Sequence, residues 1–273
     1  MAARQKLRIL CFGDSLTAGY SYLGSAYHPY HFKMDQMLAM AFPDYEITTV
    51  ERGKCGDMVR NGFLTRMQEC FPPAKKDDKP PFDWVIVLGG TKYVYVPLID
   101  WLMRSADEVS SDIAFRVPPQ EIFKKLTEVW DIPLRRGCKV LALTVPDVVG
   151  DSKFKMRGDA DRKVLNELIM GYKKPNLHVY DLHDAISLTK MSSTDRKTYR
   201  DDQIHFTPEG YDLIGNKVGM ALVSLLVKQR VADLPPAKRR RIFKNDDKLF
   251  EEETGNPESL DGGYVVVRRT DLD

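Results

Sequence analysis

Leu7-Arg8-Ile9-Leu10-Cys11-Phe12-Gly13-Asp14-Ser15-Leu16-Thr17 is the stretch on which the reading of this chain turns. Its first half is a nearly continuous apolar run. The run is too short to cross a bilayer and too short for the apolar region of a secretory signal. It fits a strand covered on both faces, as parallel strands are. Gly13-Asp14 ends the run and leaves Ser15 just past the strand's carboxyl end. Ligands of open α/β sheets bind at that edge.

The same kind of run recurs at Tyr45–Val50, Trp84–Leu88, Val140–Val145 and Leu177–Asp181. Helical spacing of apolar residues separates the runs: His31–Phe42, Asp57–Cys70, Pro119–Arg136, Gly158–Tyr172, and a helix from Pro208 to about Lys228 capped by Thr207. Strand–helix alternation predicts a three-layer α/β/α sandwich around a five-stranded, mostly parallel sheet.

Composition narrows the function without naming it. The chain has 273 residues, 43% of them hydrophobic and 29% charged, which excludes wholesale disorder. Its 41 basic and 39 acidic side chains leave a net charge of +2, so nothing calls for a nucleic-acid partner. No unbroken apolar run suggests a membrane span. Cys11, Cys55, Cys70 and Cys138 lie far apart and read as free thiols in a reducing compartment, so a cytoplasmic protein is expected. The expected domain is 1–231, followed by a charged, flexible tail over 232–273. Within that tail Lys238-Arg239-Arg240-Arg241 could serve as a nuclear address, although acidic residues follow it closely.

A serine at a strand's carboxyl end can act as a nucleophile if a base takes its proton. Far downstream, Asp202-Gln203-Ile204-His205 precedes the last helix. One irregular turn can bring the Asp202 carboxylate against the His205 imidazole, fixing its tautomer and stabilising the imidazolium. Alone, Ser15 reads as a capping residue and His205 as a surface histidine. Together, at opposite ends of an α/β pattern, they read as a catalytic pair.

The two motifs resemble the SGNH hydrolases, also called GDSL esterases and lipases, over about residues 6–228. Gly13-Asp14-Ser15-Leu16 matches the first block of that family, Asp202-x-x-His205 matches the last, and Gly56 falls at the glycine of the second. The resemblance implies a flavodoxin-like SGNH fold and hydrolysis of a small-molecule carboxylic ester, with no cofactor. It also implies roles: Ser15 as nucleophile, His205 as general base, Asp202 as its orienting carboxylate, and the N–H groups of Ser15 and Gly56 as oxyanion donors. Acyl and alcohol specificity and oligomeric state are not legible in the sequence.

The third family block, Gly-x-Asn-Asp, is broken. The chain reads Gly89-Gly90-Thr91-Lys92-Tyr93, so Lys92 stands where the asparagine donor belongs and is the candidate oxyanion donor in its place, through an ammonium that a flexible stem orients less well than a fixed amide. The loop from Thr91 to Val117 is also long for a connection of this kind. One event explains both features. Codons for Lys92-Tyr93-Val94 can contain an intron donor, and the codon for Ser111 an acceptor. In-frame removal would create asparagine directly before Asp112 and restore the block, so residues 92–111 are expected to be translated intron. The rival readings are a genuine lid carrying Trp101, and a catalytically weakened homologue serving as an interaction protein.

His28, His31, His178 and His183 read as packed or surface histidines, and none has zinc-ligand spacing. The chain has no Gly-x-Ser-x-Gly elbow, phosphate loop or dinucleotide fingerprint.

Overall fold

A computed structural model of the chain describes residues 4–73, 75, 78–91, 117–148, 153–233, 252–253 and 266–267. Among the described residues, seven strands precede the C-terminal region: β1 (Gln5–Gly13), β2 (Tyr20–Ser21), β3 (Ala26–Tyr27), β4 (Tyr45–Gly53), β5 (Trp84–Leu88), β6 (Lys139–Leu143) and β7 (Leu177–Tyr180). Five of them form one sheet in the order β4-β1-β5-β6-β7. Every pairing in it is parallel. Ile9 to Phe12 and Trp84 to Leu88 are buried, as expected of strands covered on both faces.

Helices cover the two faces, giving the three-layer α/β/α architecture. His31–Ala41 packs against the first turns of Pro208–Asp233, where Gly215 and Gly219 let the backbones approach Tyr30, Met34 and Met37. Leu64–Cys70, Pro119–Arg135 and Lys153–Gly171 pack together. The helix Pro119–Arg135 buries Ile122, Leu126, Val129 and Trp130, an i, i+4, i+7, i+8 stripe that faces the core.

Among the departures from the sequence expectation, two boundaries and one hairpin have identifiable reasons. The helix expected from Asp57 begins as a π-turn, Val59–Phe63, before regular helix at Leu64. Asp57 instead accepts the Met58 N–H at 2.9 Å and pairs with Arg66. β6 stops at Leu143 because the Asn166 side-chain amide takes both backbone groups of Val145, at 2.8 and 3.0 Å. The hairpin β2–β3 is absent from the sequence reading, since two-residue strands carry no periodicity.

The chain divides into two compact units, Met1–Val223 and Ser224–Asp273. In the second, Glu252–Glu253 pairs antiparallel with Val266–Val267. The basic cluster Lys238–Arg241 lies outside the described residues. Pro208–Asp233 is one helix that is long and apolar enough to cross a membrane by length and composition alone. Its residues Tyr211, Ile214, Val218 and Leu222 are fully buried, as in a core helix.

Candidate active site

β1 is flanked by β4 on one side and β5 on the other, so the strand order reverses beside it. Such a switch point opens a crevice at the carboxyl ends of the strands. Gly13 ends β1 inside that crevice. A Cβ there would stand 2.2 Å from Thr17 Oγ1 and 2.3 Å from the Leu88 carbonyl, so only glycine fits. Asp14 then caps the short helix Ser15–Ala18, its carboxylate accepting the Leu16 N–H at 3.0 Å. Ser15 is the first residue of that helix, where backbone N–H groups have no intrahelical partner.

The other half of the site is a turn made by Asp202. Its Oδ1 accepts the N–H groups of Ile204 at 2.7 Å and His205 at 2.6 Å. Its Oδ2 meets His205 Nδ1 at 2.7 Å. The three-residue spacing is what lets one carboxylate fold the turn and hold the ring. An antiparallel bridge between Arg200 and Phe206 closes the loop, and the Arg200 guanidinium lies 3.9 Å from the Phe206 ring.

His205 Nε2 then stands 3.0 Å from Ser15 Oγ. An ionised carboxylate can only accept, so Nδ1 carries the hydrogen toward Asp202. Nε2 is left as the acceptor for the serine hydroxyl. Burial alone would push the Asp202 carboxyl up. The hydrogen bonds from the His205 ring and from two backbone N–H groups outweigh burial and hold it at about 2. The structure thus brings Ser15, His205 and Asp202 into one hydrogen-bonded chain.

Gly56 lies in the loop after β4, with φ 74°, a left-handed value that favours glycine. That loop is tied to the nucleophile strand: Gly53 pairs in register with Gly13, and the Lys54 N–H donates to the Gly13 carbonyl at 3.1 Å. Lys92 and residues 93–111 lie outside the described residues, as does the asparagine question attached to them. Among the described residues no group of three or more His, Cys, Asp or Glu side chains could hold a metal ion.

A family model for GDSL-like lipases and acylhydrolases matches residues 11–213. The chain belongs to this family. The solved structures it is similar to include a lipase/acylhydrolase from Enterococcus faecalis, 21% identical, with 80% of this chain and 96% of that one covered at a TM-score of 0.54. An acetyl-xylooligosaccharide esterase variant from Geobacillus Stearmophilus is 18% identical, with 80% and 94% covered at 0.55. An alpha/beta hydrolase from the metagenome of Lake Arreo, Spain, is 21% identical, with 82% and 97% covered at 0.56. At these identities the likeness shows the fold. Among curated proteins none matches. Family membership makes the chain a hydrolase of the GDSL type, and neither fold nor comparisons support the alternative of a scaffold protein.

Several residues around this GDSL site escaped the sequence reading. Asp14 is only 3% exposed, and its burial pushes the carboxyl up to about 6 against the pull of the Leu16 N–H and of the nearby His205 ring. The Tyr20 ring lies 4.6 Å from the His205 ring, tilted by 50°. Arg66 donates to the carbonyls of Gly13 and Arg52 at the ends of β1 and β4, and its guanidinium packs 4.7 Å from the Phe12 ring. Arg66 falls nine residues after Asp57, its ion-pair partner, a spacing with no standard helical signature.

The remaining histidines are partnered elsewhere. His28 meets Asp212 at 2.8 Å and His31 meets Asp35 at 3.0 Å. His178 packs on Trp84, and His183 pairs with Asp147 at 2.6 Å.

Proposed function

We propose that the protein is a serine ester hydrolase acting through an acyl-enzyme on Ser15. The hydrogen-bonded chain Ser15–His205–Asp202 at the carboxyl end of β1 carries this reading. Ser15 Oγ attacks the ester carbonyl carbon while His205 Nε2 takes the hydroxyl proton. The negative oxygen of the tetrahedral intermediate is met by the N–H groups of Ser15 and Gly56. Collapse breaks the bond to the alcohol, and His205 returns the proton to the leaving oxygen. Water then attacks the acyl group with His205 again as base, releasing the acid and restoring Ser15. Asp202 stays ionised throughout and stabilises the imidazolium.

The substrate in this reading is a small-molecule carboxylic ester, and residues 1–231 form the hydrolase domain. Hydrolysis of p-nitrophenyl acetate by the full chain and by Ser15→Ala tests it. The expected result is turnover in the first, with an acetyl group found on Ser15, and none above background in the second. Equal rates reject the reading. Replacing residues 92–111 by a single asparagine restores the third family block and should raise turnover by roughly 100-fold, the worth of one oxyanion donor. No gain would reject the translated-intron account.

A further inference from the structure

We propose that the hairpin Tyr20–Tyr27 is the alcohol-side subsite, and that its tip, Tyr22-Leu23, selects esters of neutral apolar alcohols. The inference rests on the reading just given. In that reading His205 Nε2 hands its proton to the leaving oxygen, so the alcohol must depart along the flank of His205. Tyr20, the first residue of the hairpin, packs on that flank. Tyr20 places its ring 4.6 Å from the imidazole, and its carbonyl accepts from the Tyr211 hydroxyl at 2.8 Å. The Tyr22 N–H donates to the carboxylate of Asp201, next to Asp202, at 2.5 Å. At its other end Tyr27 places its hydroxyl 4.0 Å from Cys55 Sγ, one residue before Gly56. The hairpin therefore reaches from the loop of the base to the loop of the oxyanion glycine.

Its tip is apolar, open and strained. Leu23 is 88% exposed, Tyr22 48% and Tyr27 56%. Tyr22 and Leu23 have φ of 50° and 54°, two consecutive side-chain-bearing residues in the left-handed region. That conformation is disfavoured for both, and strain of this kind collects at ligand-binding positions. The turn is nonetheless held: the Ser25 hydroxyl and N–H both donate to the Tyr22 carbonyl, at 2.8 and 3.1 Å, and the Ser21 hydroxyl donates to the Ala26 carbonyl at 3.2 Å. An apolar tip held in this way, and tied to the loop of the base, loses little freedom when a ligand covers it. The carboxylates of Asp201 and Asp202 behind it disfavour an alcohol that carries negative charge.

The test compares two acetate esters, 2-phenylethyl and ethyl, whose alcohols have similar basicity and differ in apolar surface. The full chain should favour the 2-phenylethyl ester in kcat/KM by about tenfold or more. Leu23→Asn keeps a residue that tolerates the left-handed region and should cut that ratio about fivefold or more. The ratio of ethyl butyrate to ethyl acetate, which varies only the acyl side, should move less than about twofold. Leu23→Gly, free of strain at this φ, repeats the measurement if the asparagine variant does not fold. An unchanged alcohol ratio, or an acyl ratio that moves as far, overturns the subsite. Ser15→Ala separates the two layers: its retained turnover of either ester overturns the nucleophile, and absence of turnover in the full chain overturns both proposals. Loss in Ser15→Ala with unmoved ratios overturns the subsite alone.

Discussion

Two carboxylate–imidazole pairs stand beyond the carboxyl ends of the sheet strands, and their hydroxyls are attached at opposite ends. In one, the imidazole is central: Ser15 Oγ meets His205 Nε2, and His205 Nδ1 meets Asp202. In the other, the carboxylate is central. Asp147 Oδ1 meets His183 Nδ1 at 2.6 Å, and Oδ2 accepts from the Ser187 hydroxyl at 3.2 Å and the Leu188 N–H at 2.9 Å. Arg162 adds a guanidinium 3.6 Å from Asp147. Residue types are the same in both. A central imidazole can take a hydroxyl proton and be stabilised for doing so. A central carboxylate leaves its serine hydroxyl donating to an acceptor of low basicity. Burial pushes Asp147 up, but His183, the Leu188 N–H and Arg162 outweigh it and hold the carboxyl below its ordinary value. The second cluster fastens the segment after β6 to the segment after β7.

The largest expected effect breaks the comparison if it fails. His205→Ala should lower kcat/KM for ester hydrolysis by roughly 10³- to 10⁴-fold, the scale of a lost general base. His183→Ala should change it by less than about threefold, as a substitution away from the chemistry does. Comparable losses in both would mean that wiring order is not what separates the two clusters.

Stability should reverse the ranking. Asp147→Ala removes the acceptor of the Ser187 hydroxyl and the Leu188 N–H and the carboxylate beside His183 and Arg162, so urea denaturation should show a loss of about 3 kcal/mol. Asp202→Asn keeps an acceptor for the backbone turn, and the side chain is more than a third exposed. It should cost much less stability but roughly 10²- to 10⁴-fold in kcat, measured on the same preparations. A stability loss in Asp202→Asn as large as in Asp147→Ala would make the first cluster a fastening as well.

The sequence made part of this legible. Asp202-x-x-His205 can be read because one carboxylate must serve both backbone and ring within a single turn. Near-continuous apolar runs such as Trp84–Leu88 reveal doubly covered strands, and that strand has the expected limits. The switch point beside β1 is not written locally, since strand order depends on contacts remote in sequence. Nor is the burial of Asp14, which follows Gly13 at the end of a strand flanked on both sides by β4 and β5. The difference between His205 and His183 is the least legible. Both lie near acidic residues along the chain, and only the folded geometry decides whether a hydroxyl reaches the ring or the carboxylate.

Asp14 sharpens the comparison because it is a buried carboxylate beside the same imidazole yet without a direct ring bond. Its folded value near 6 lies above the ordinary 3.8, so between those values the folded chain holds a proton that the unfolded chain has released. Its contribution therefore weakens the fold as pH rises across that window, by up to about 3 kcal/mol. Asp202 and Asp147 have the opposite sign. Their contributions are present above the ordinary value and are lost as pH falls through the lower folded ones, about 2 for Asp202. Asp14→Asn keeps an oxygen for the Leu16 N–H and removes the titration. Its unfolding free energy relative to the native chain should therefore rise by about 2 kcal/mol between about pH 4 and pH 7. A difference independent of pH would mean that Asp14 is already ionised throughout. In the proposed mechanism the same charge favours the imidazolium on His205, so the stabilised variant should also be slower by a few-fold. Stability gained with activity lost would show that the fold keeps a costly buried charge because the base uses it.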